Sequence, residues 1–308
     1  MSHSKLVSVI IPCYNYGNLL PKAIDSVIAQ TYKNIEIIII DDGSTDDTES
    51  VAKTYSSEYQ NVYYHKQKNM GIVKTRNKCV NLAKGYYLIQ LDADDWIDNS
   101  YVEKAVNLAE DSNADIVYSD VIIFGRVNRK VYHPEHNIEI LKYQNYIHAS
   151  ALVKKTVFST NKYDEVLESL GYEDWDLFLG ACLSGKTARK MTGPVLHYKK
   201  HNQPRSRSDV DFPFKQALDA RIYIYEKYYK KYPEAMKSLE PINQLFVKIQ
   251  NKNEILLKKR NELKNSNNHA LDRIKTLERE ITLMKQSKFW KARDKYHKVR
   301  RYLGIDGK

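Results

Sequence analysis

Two short apolar runs, over 35–40 and 86–91, each break off into adjacent carboxylates: Asp41-Asp42-Gly43-Ser44 and Asp92-Ala93-Asp94-Asp95. Apolar, β-branched runs of this length, flanked by Gly and polar residues, read as buried strands of a parallel sheet. Similar runs lie at 7–11, 62–65 and 116–119, and helical patterns fill 19–29, 46–55, 72–82 and 101–110 between them. This alternation predicts an α/β domain, its mostly parallel sheet covered by helices on both faces. Ligands of open α/β sheets sit beyond the carboxyl ends of the strands. Carboxylates gathered there repel one another unless a positive group joins them, and a divalent cation holding a nucleotide's phosphates is such a group. Taken singly, either cluster also reads as a polar strand exit or a helix cap.

The order loosens over 120–205, where polar loops surround a helix near 175–183 and a strand over 195–199. A Tyr-rich helix over 214–232 is punctuated by Pro233 and Pro241. Beyond Pro241 the apolar residues Ile242, Phe246, Ile249, Leu256, Leu263, Ala270, Ile274, Leu277, Ile281 and Met284 follow an alternating 4,3 spacing. About six heptads of this kind predict a coiled coil. Asn253, Arg260 and Asn267 take the remaining seam positions, where Asn favours a parallel pair of strands. A single helix folding back on the domain is the alternative. Over 287–303, Phe289, Ala292, Tyr296, Val299 and Leu303 form one apolar stripe amid Lys and Arg, with Trp290 and Tyr302 beside it. A basic amphipathic helix of this composition suits an anionic membrane surface; a solvated or docked helix end is the plainer reading. The expected organisation is a catalytic domain over 1–210, a helical extension over 211–241, a dimerising coiled coil over 242–286 and a basic tail over 287–308.

Composition narrows the classes. The 308 residues, 42 % of them hydrophobic, suffice for one large α/β domain with an appendage. Mean hydropathy is −0.60, and no apolar run reaches the roughly 18–20 residues of a spanning helix. A strand pattern starting at Val7 leaves no room for a signal peptide, and Cys13, Cys79 and Cys182 have no metal-ligand spacing. These features predict a cytoplasmic chain with reduced core thiols. The net charge of +11 resides wholly beyond residue 241, where 18 Lys and Arg face 7 Asp and Glu; before it the count is 31 against 31. A basic helical tail without a reading module argues against nucleic acid as a partner.

The ordered motifs carry a resemblance. Val7-Ser8-Val9-Ile10-Ile11-Pro12-Cys13-Tyr14-Asn15, Ile40-Asp41-Asp42-Gly43-Ser44, Asn69-Met70-Gly71 with Arg76-Asn77, and Leu91-Asp92-Ala93-Asp94-Asp95-Trp96 stand in sequence. Gly171-Tyr172-Glu173-Asp174-Trp175-Asp176 and Tyr198-Lys199-Lys200-His201 follow. Together, over about residues 5–210, they resemble the family 2 glycosyltransferases of GT-A fold, inverting enzymes dependent on nucleotide-sugars. The resemblance implies that Pro12 and Tyr14 floor a uracil pocket and that Asp42 accepts the uracil imide hydrogen. It places Asp92 on the ribose, Gly71 and Ala93 in the donor-binding set, and Asp94 and His201 on Mn²⁺ or Mg²⁺. Arg76 is expected to reach a phosphate, Asp95 to join the metal shell or the sugar pocket, Glu173 to help bind the donor sugar or acceptor, and Trp175 to wall the sugar site. Asp174 is the expected catalytic base. Val73-Lys74-Thr75 replaces the small residues many relatives have before the arginine, and the loop after His201 is more basic than usual.

The expectation is therefore a hexosyl- or N-acetylhexosaminyltransferase moving sugar from a UDP-sugar to a glycan or glycoconjugate, in bacterial surface-polysaccharide synthesis. The rival from another class is a non-catalytic scaffold carrying the same domain and a dimerising coiled coil. A sugar nucleotidyltransferase fits less well, because Pro12-Cys13-Tyr14-Asn15-Tyr16-Gly17 is not a Gly-rich phosphate loop.

Overall fold

The structure is a computed structural model, and it describes residues 4–201 and 214–286. The basic tail over 287–303 and the loop after His201 lie outside the described residues. The strands are Val7–Cys13 (β1), Ile35–Asp41 (β2), Val62–Lys66 (β3), Tyr87–Gln90 (β4), Trp96–Ile97 (β5) and Ile116–Tyr118 (β6). They continue with Val121–Gly125 (β7), Arg129–Val131 (β8), Leu152–Lys154 (β9), Ala188–Lys190 (β10) and Leu196–Lys200 (β11). One sheet runs β10-β6-β9-β4-β1-β2-β3 and a second β5-β11-β7-β8.

The large sheet is parallel where the apolar runs predict it, from β4 through β1 and β2 to β3. Every residue of β1 and β2 is buried. Alternate side chains serve opposite faces. Ile10, Ile38, Ile40 and Leu88 pack with the helices Ile72–Leu82, Glu173–Leu183 and Phe214–Lys231 on one face. Val9, Ile11, Ile37, Ile39 and Ile89 pack with Leu20–Ile28 and Tyr101–Ser112 on the other. Each such buried side chain contributes about 1.5–3 kcal/mol, so the central strands anchor the sheet edge from which the carboxylates project.

β9 is antiparallel to both β4 and β6; three residues are too few to show a period in sequence. The helix expected from 46 begins at Thr48, because Asp46 is used outside it. Asp46 accepts from the Thr48 N–H and hydroxyl and, through its other oxygen, from the Gly17 N–H, tying the β1 exit loop to the helix start.

The chain divides into two compact units, Met1–Phe246 and Val247–Lys308. The helical segment expected as a separate extension is part of the first: Ala220, Ile224, Tyr225, Tyr228, Met236 and Leu239 belong to its core. A continuous helix, Glu240–Gln286, runs into the second unit. There Leu256, Leu263 and Ile274 of the predicted seam are 54 %, 69 % and 53 % exposed. No helix among the described residues is long and apolar enough to cross a membrane.

Candidate active site

Register builds the first half of the site. Pairing of Cys13 with Asp41 carries Tyr14 and Asp42 off the sheet side by side, and the Asp42 N–H donates to the Cys13 carbonyl. Pro12 is buried in β1, whereas Tyr14 is exposed. The Asp42 carboxylate is 5 % exposed and accepts from Gln67 Nε2 at 2.7 Å, the Met70 N–H at 2.9 Å and the Gly71 N–H at 3.0 Å. Oδ1 takes two of these donors and Oδ2 one, which leaves acceptor capacity on Oδ2. Gly71, at φ +87°, lets the backbone turn its N–H onto Asp42 and enter the helix Ile72–Leu82. A Cβ there meets the Glu168 carboxylate at 2.6–2.9 Å. Glu168 itself accepts from the N–H groups of Ile72 and Val73, opposite the positive end of that helix.

β4 delivers the second acidic cluster to the same edge. Asp94 Oδ2 lies 2.8 Å from His201 Nε2, and both side chains are nearly buried. His201 follows β11, so two segments 107 residues apart place an oxygen and an imidazole nitrogen on one spot. Burial pushes the Asp94 carboxyl up, and the neighbouring Asp92 charge adds to it against the pull of the His201 bond. A carboxylate oxygen and an imidazole nitrogen held together fit a divalent cation, which would draw its other ligands from phosphate and water. No group of three or more protein ligands forms among the described residues. Ala93 is buried between these carboxylates. Asp95 turns inward: 2 % exposed, it accepts the Lys199 backbone N–H at 2.8 Å and so fastens β11 to the acidic loop. Burial first, then Asp94 and Asp92, raise its pKa well above the carboxylate range. The sequence-level expectation that Asp95 meets metal or sugar thus gives way to a tether between two strands.

Arg76 links the halves. Its Nη2 donates to Asp92 Oδ1 at 2.9 Å and its Nη1 to Glu173 Oε1 at 2.5 Å, with the residue 4 % exposed. Burial opposes its charge, but Asp92 and Glu173 outweigh burial and raise its pKa above the ordinary arginine value. The guanidinium expected to reach a phosphate is thus engaged by two carboxylates, and Glu173 is held by Arg76.

Gly171 (φ +76°) and Tyr172 (φ +64°) both take left-handed conformations immediately before the helix Glu173–Leu183. A bulky residue there stores strain of order 1–3 kcal/mol, and the turn sets Glu173 and Asp174 at the helix start. Asp174 Oδ2 accepts from Asn145 Nδ2 at 2.9 Å and Oδ1 from the Trp175 N–H at 2.8 Å. Burial and then the Glu173 charge push the Asp174 carboxyl up to about 7, against the pull of Arg76. A carboxylate tuned to neutrality suits a general base. Trp175 departs from its expected place on the sugar: it is 3 % exposed, and its indole N–H donates to the Leu141 carbonyl at 2.6 Å. It braces the helix from the core. Asn145 carries no motif and was not foreseen. Its only sequence signal is its place in the polar stretch before the helix.

This mostly parallel sheet with flanking helices and a second short sheet has the GT-A architecture. Residues 8–163 match the model of glycosyl transferase family 2, and the chain belongs to that family. It is similar to the glycosyltransferase GlyA of Streptococcus pneumoniae serotype 4, 40 % identical over 118 residues, which are 38 % of this chain and 17 % of that protein. It is also similar to the cholesterol galactosyltransferase of Borreliella burgdorferi, 38 % identical over 122 residues, 40 % of this chain and 34 % of that one. The chain therefore spans well under half of either relative. Its fold is shared with S. aureus TarS 1–349 in complex with UDP-GlcNAc, at a TM-score of 0.61 and 18 % identity, over 71 % of this chain and 66 % of TarS 1–349. The mannosyltransferase PcManGT from Pyrobaculum calidifontis, in complex with GDP-Man and Mn²⁺, aligns at a TM-score of 0.56 and 16 % identity, over 82 % of this chain and 74 % of its own.

Proposed function

We propose that this chain is a metal-dependent, inverting glycosyltransferase that moves a sugar from a UDP-sugar to a hydroxyl of a glycan or glycoconjugate. The observation that carries the reading is a pair of contact sets meeting at the acidic turn 92–94: Arg76 on both Asp92 and Glu173, the neighbour of Asp174, and His201 on Asp94. Asp42, with acceptor capacity left on Oδ2, receives the imide hydrogen of uracil, and Tyr14 stacks on the base above Pro12. Asp92 turns its remaining oxygen to the ribose. Asp94 and His201 hold Mn²⁺ or Mg²⁺, which when bound supplies Lewis-acid neutralisation of a departing diphosphate. Asp174 takes the proton of the acceptor hydroxyl as the acceptor oxygen bonds to the anomeric carbon and the bond from that carbon to the diphosphate oxygen breaks. Attack from the face opposite the leaving group inverts the anomeric centre. A positioned base of this kind contributes ~10²–10⁴-fold.

The exposed seam of Glu240–Gln286 supports a homodimer through residues 242–286, and the sequence over 287–303 supports contact with an anionic membrane surface. The setting consistent with both, and with the bacterial relatives, is surface-polysaccharide assembly at the inner membrane face. A thermal-shift panel of UDP- and GDP-sugars with and without Mn²⁺ tests the donor. Ligand at 100 times Kd stabilises by about 2.7 kcal/mol. A UDP-sugar is expected to raise Tm only when Mn²⁺ is present; a shift with GDP-sugars alone, or one indifferent to Mn²⁺, contradicts the reading.

A further inference from the structure

Beyond the family match, which ends at residue 163, the helix Phe214–Lys231 reaches back to the helix bearing Asp174, with Arg221 over the Trp175 and Tyr172 rings and Lys227 on its carboxylate. Lys227 Nζ lies 2.6 Å from Asp176 Oδ2 and 2.8 Å from Asp164 Oδ2. Tyr223, one turn earlier, donates its hydroxyl to the same Asp164 oxygen at 2.7 Å, and the Tyr228 hydroxyl donates to the Asp176 backbone carbonyl at 2.7 Å. Asp176 is 1 % exposed and its Oδ1 has no hydrogen-bond partner. A buried carboxylate with one bare oxygen is costly unless its charge is matched, and Lys227 is the cation bonded to it.

Both carboxylates stand next to the catalytic constellation. Asp176 is two residues past Asp174 in the first turn of the same helix. Asp164 follows Tyr163, whose backbone exchanges two hydrogen bonds with the Asn77 side chain, at 2.9 and 3.1 Å, beside Arg76. The Tyr163 ring lies 5.9 Å from the Arg76 guanidinium carbon. One ammonium therefore ties together the segment bearing Asp174 and Glu173 and the segment that braces Arg76.

We infer that Lys227 is a positioning residue for the catalytic base: it clamps Asp176 and Asp164 so that the strained Gly171-Tyr172 turn presents Glu173 to Arg76 and Asp174 to the acceptor. The helix Phe214–Lys231 then supports the catalytic base from behind. The inference rests on the proposed role of Asp174. It predicts a division of effects, because the donor-binding carboxylates Asp42 and Asp94 issue from strands that Lys227 does not hold, and Asp92 is reached only indirectly through Arg76.

The test uses the full chain as wild type, Lys227→Met, Lys227→Arg and Asp164→Asn. Turnover is read as UDP release from the UDP-sugar that the thermal-shift panel selects, nucleotide binding as calorimetry of UDP with Mn²⁺, and local order as backbone amide hydrogen exchange. In Lys227→Met, kcat is expected to fall on the order of 10²-fold, as for a misplacement near 1 Å, while UDP binding and donor KM stay within about twofold of wild type. Exchange at 173–177 rises on the order of tenfold, while β1 and Ile72–Leu82 are unchanged. Lys227→Arg restores most of kcat. Should Lys227→Met fail to fold, Asp164→Asn carries the test with a several-fold loss of kcat at unchanged UDP binding. Wild-type kcat in the folded variants, or unaltered exchange at 173–177, overturns the inference; so does a rise in exchange throughout the molecule with loss of UDP binding. If the wild-type chain releases UDP from no donor, the reading of its activity fails, and the exchange measurement still decides whether Lys227 orders the turn.

Discussion

Asp42 and Asp174 are the same side chain in two settings, and the protein treats them in opposite ways. Asp42 leaves a long parallel strand and is met by three donors, two of them backbone N–H groups. Asp174 follows a strained turn, has one side-chain amide and one local N–H for partners, and is pushed up to about 7 by burial and by Glu173. Several fixed donors with acceptor capacity to spare suit a carboxylate to recognition, whereas desolvation beside a like charge suits one to act as a base. The comparison teaches that environment separates like side chains: under the proposed function the half held by backbone donors serves binding and the half after the strained turn serves proton transfer.

The comparison breaks first at the acidic turn. Asp94→Ala is expected to abolish Mn²⁺-dependent UDP binding, leaving calorimetry with and without Mn²⁺ indistinguishable; retained metal-dependent binding places the cation elsewhere. Arg76→Met tests the link between the halves. Leaving Asp92 and Glu173 without their buried cation costs about 3–5 kcal/mol of stability, visible as a large fall in Tm, while an unchanged Tm assigns Arg76 to ligand contact alone. The base half is sharpened by pH. Asp174 acts when deprotonated, so kcat is expected to fall as pH drops through about 7. Asn145→Ala removes a donor that favours the carboxylate and moves this limb to higher pH. A raised carboxyl pKa also has a stability sign: the folded state holds the proton more tightly than the unfolded one, so this group favours folding below its unfolded pKa and that contribution is lost as pH rises through about 7. An acid limb near pH 4 contradicts the assignment. The smallest effect on chemistry is expected in the long helix. Leu256→Glu with Leu263→Glu and Ile274→Glu should give a monomer by light scattering with turnover on soluble acceptors intact, and a surviving dimer moves the interface away from this seam.

The two halves were not equally legible. β1, β2 and β4 were readable because strands buried on both faces leave unbroken apolar runs, and the carboxylates at their ends stand out for the same reason. The pairing of Asp94 with His201 was anticipated by resemblance, and contact follows once β11 lies beside β5 in the second sheet. Along 120–175, strands of three to five residues and short helices carry no usable period, so β7, β8 and β9 were missed. The partners of Arg76, the inward turn of Asp95, the core position of Trp175 and the hold of Asn145 on Asp174 are all contacts between residues far apart in sequence. Residue type alone cannot distinguish a guanidinium waiting for phosphate from one already paired with carboxylates.

The most direct measurement is UDP release by Asp174→Asn, made alongside Mn²⁺-dependent UDP binding to the same protein. A base opposite an intact nucleotide site predicts turnover lower by ~10²–10⁴-fold with binding within a few-fold of wild type. Wild-type turnover in that variant contradicts the account.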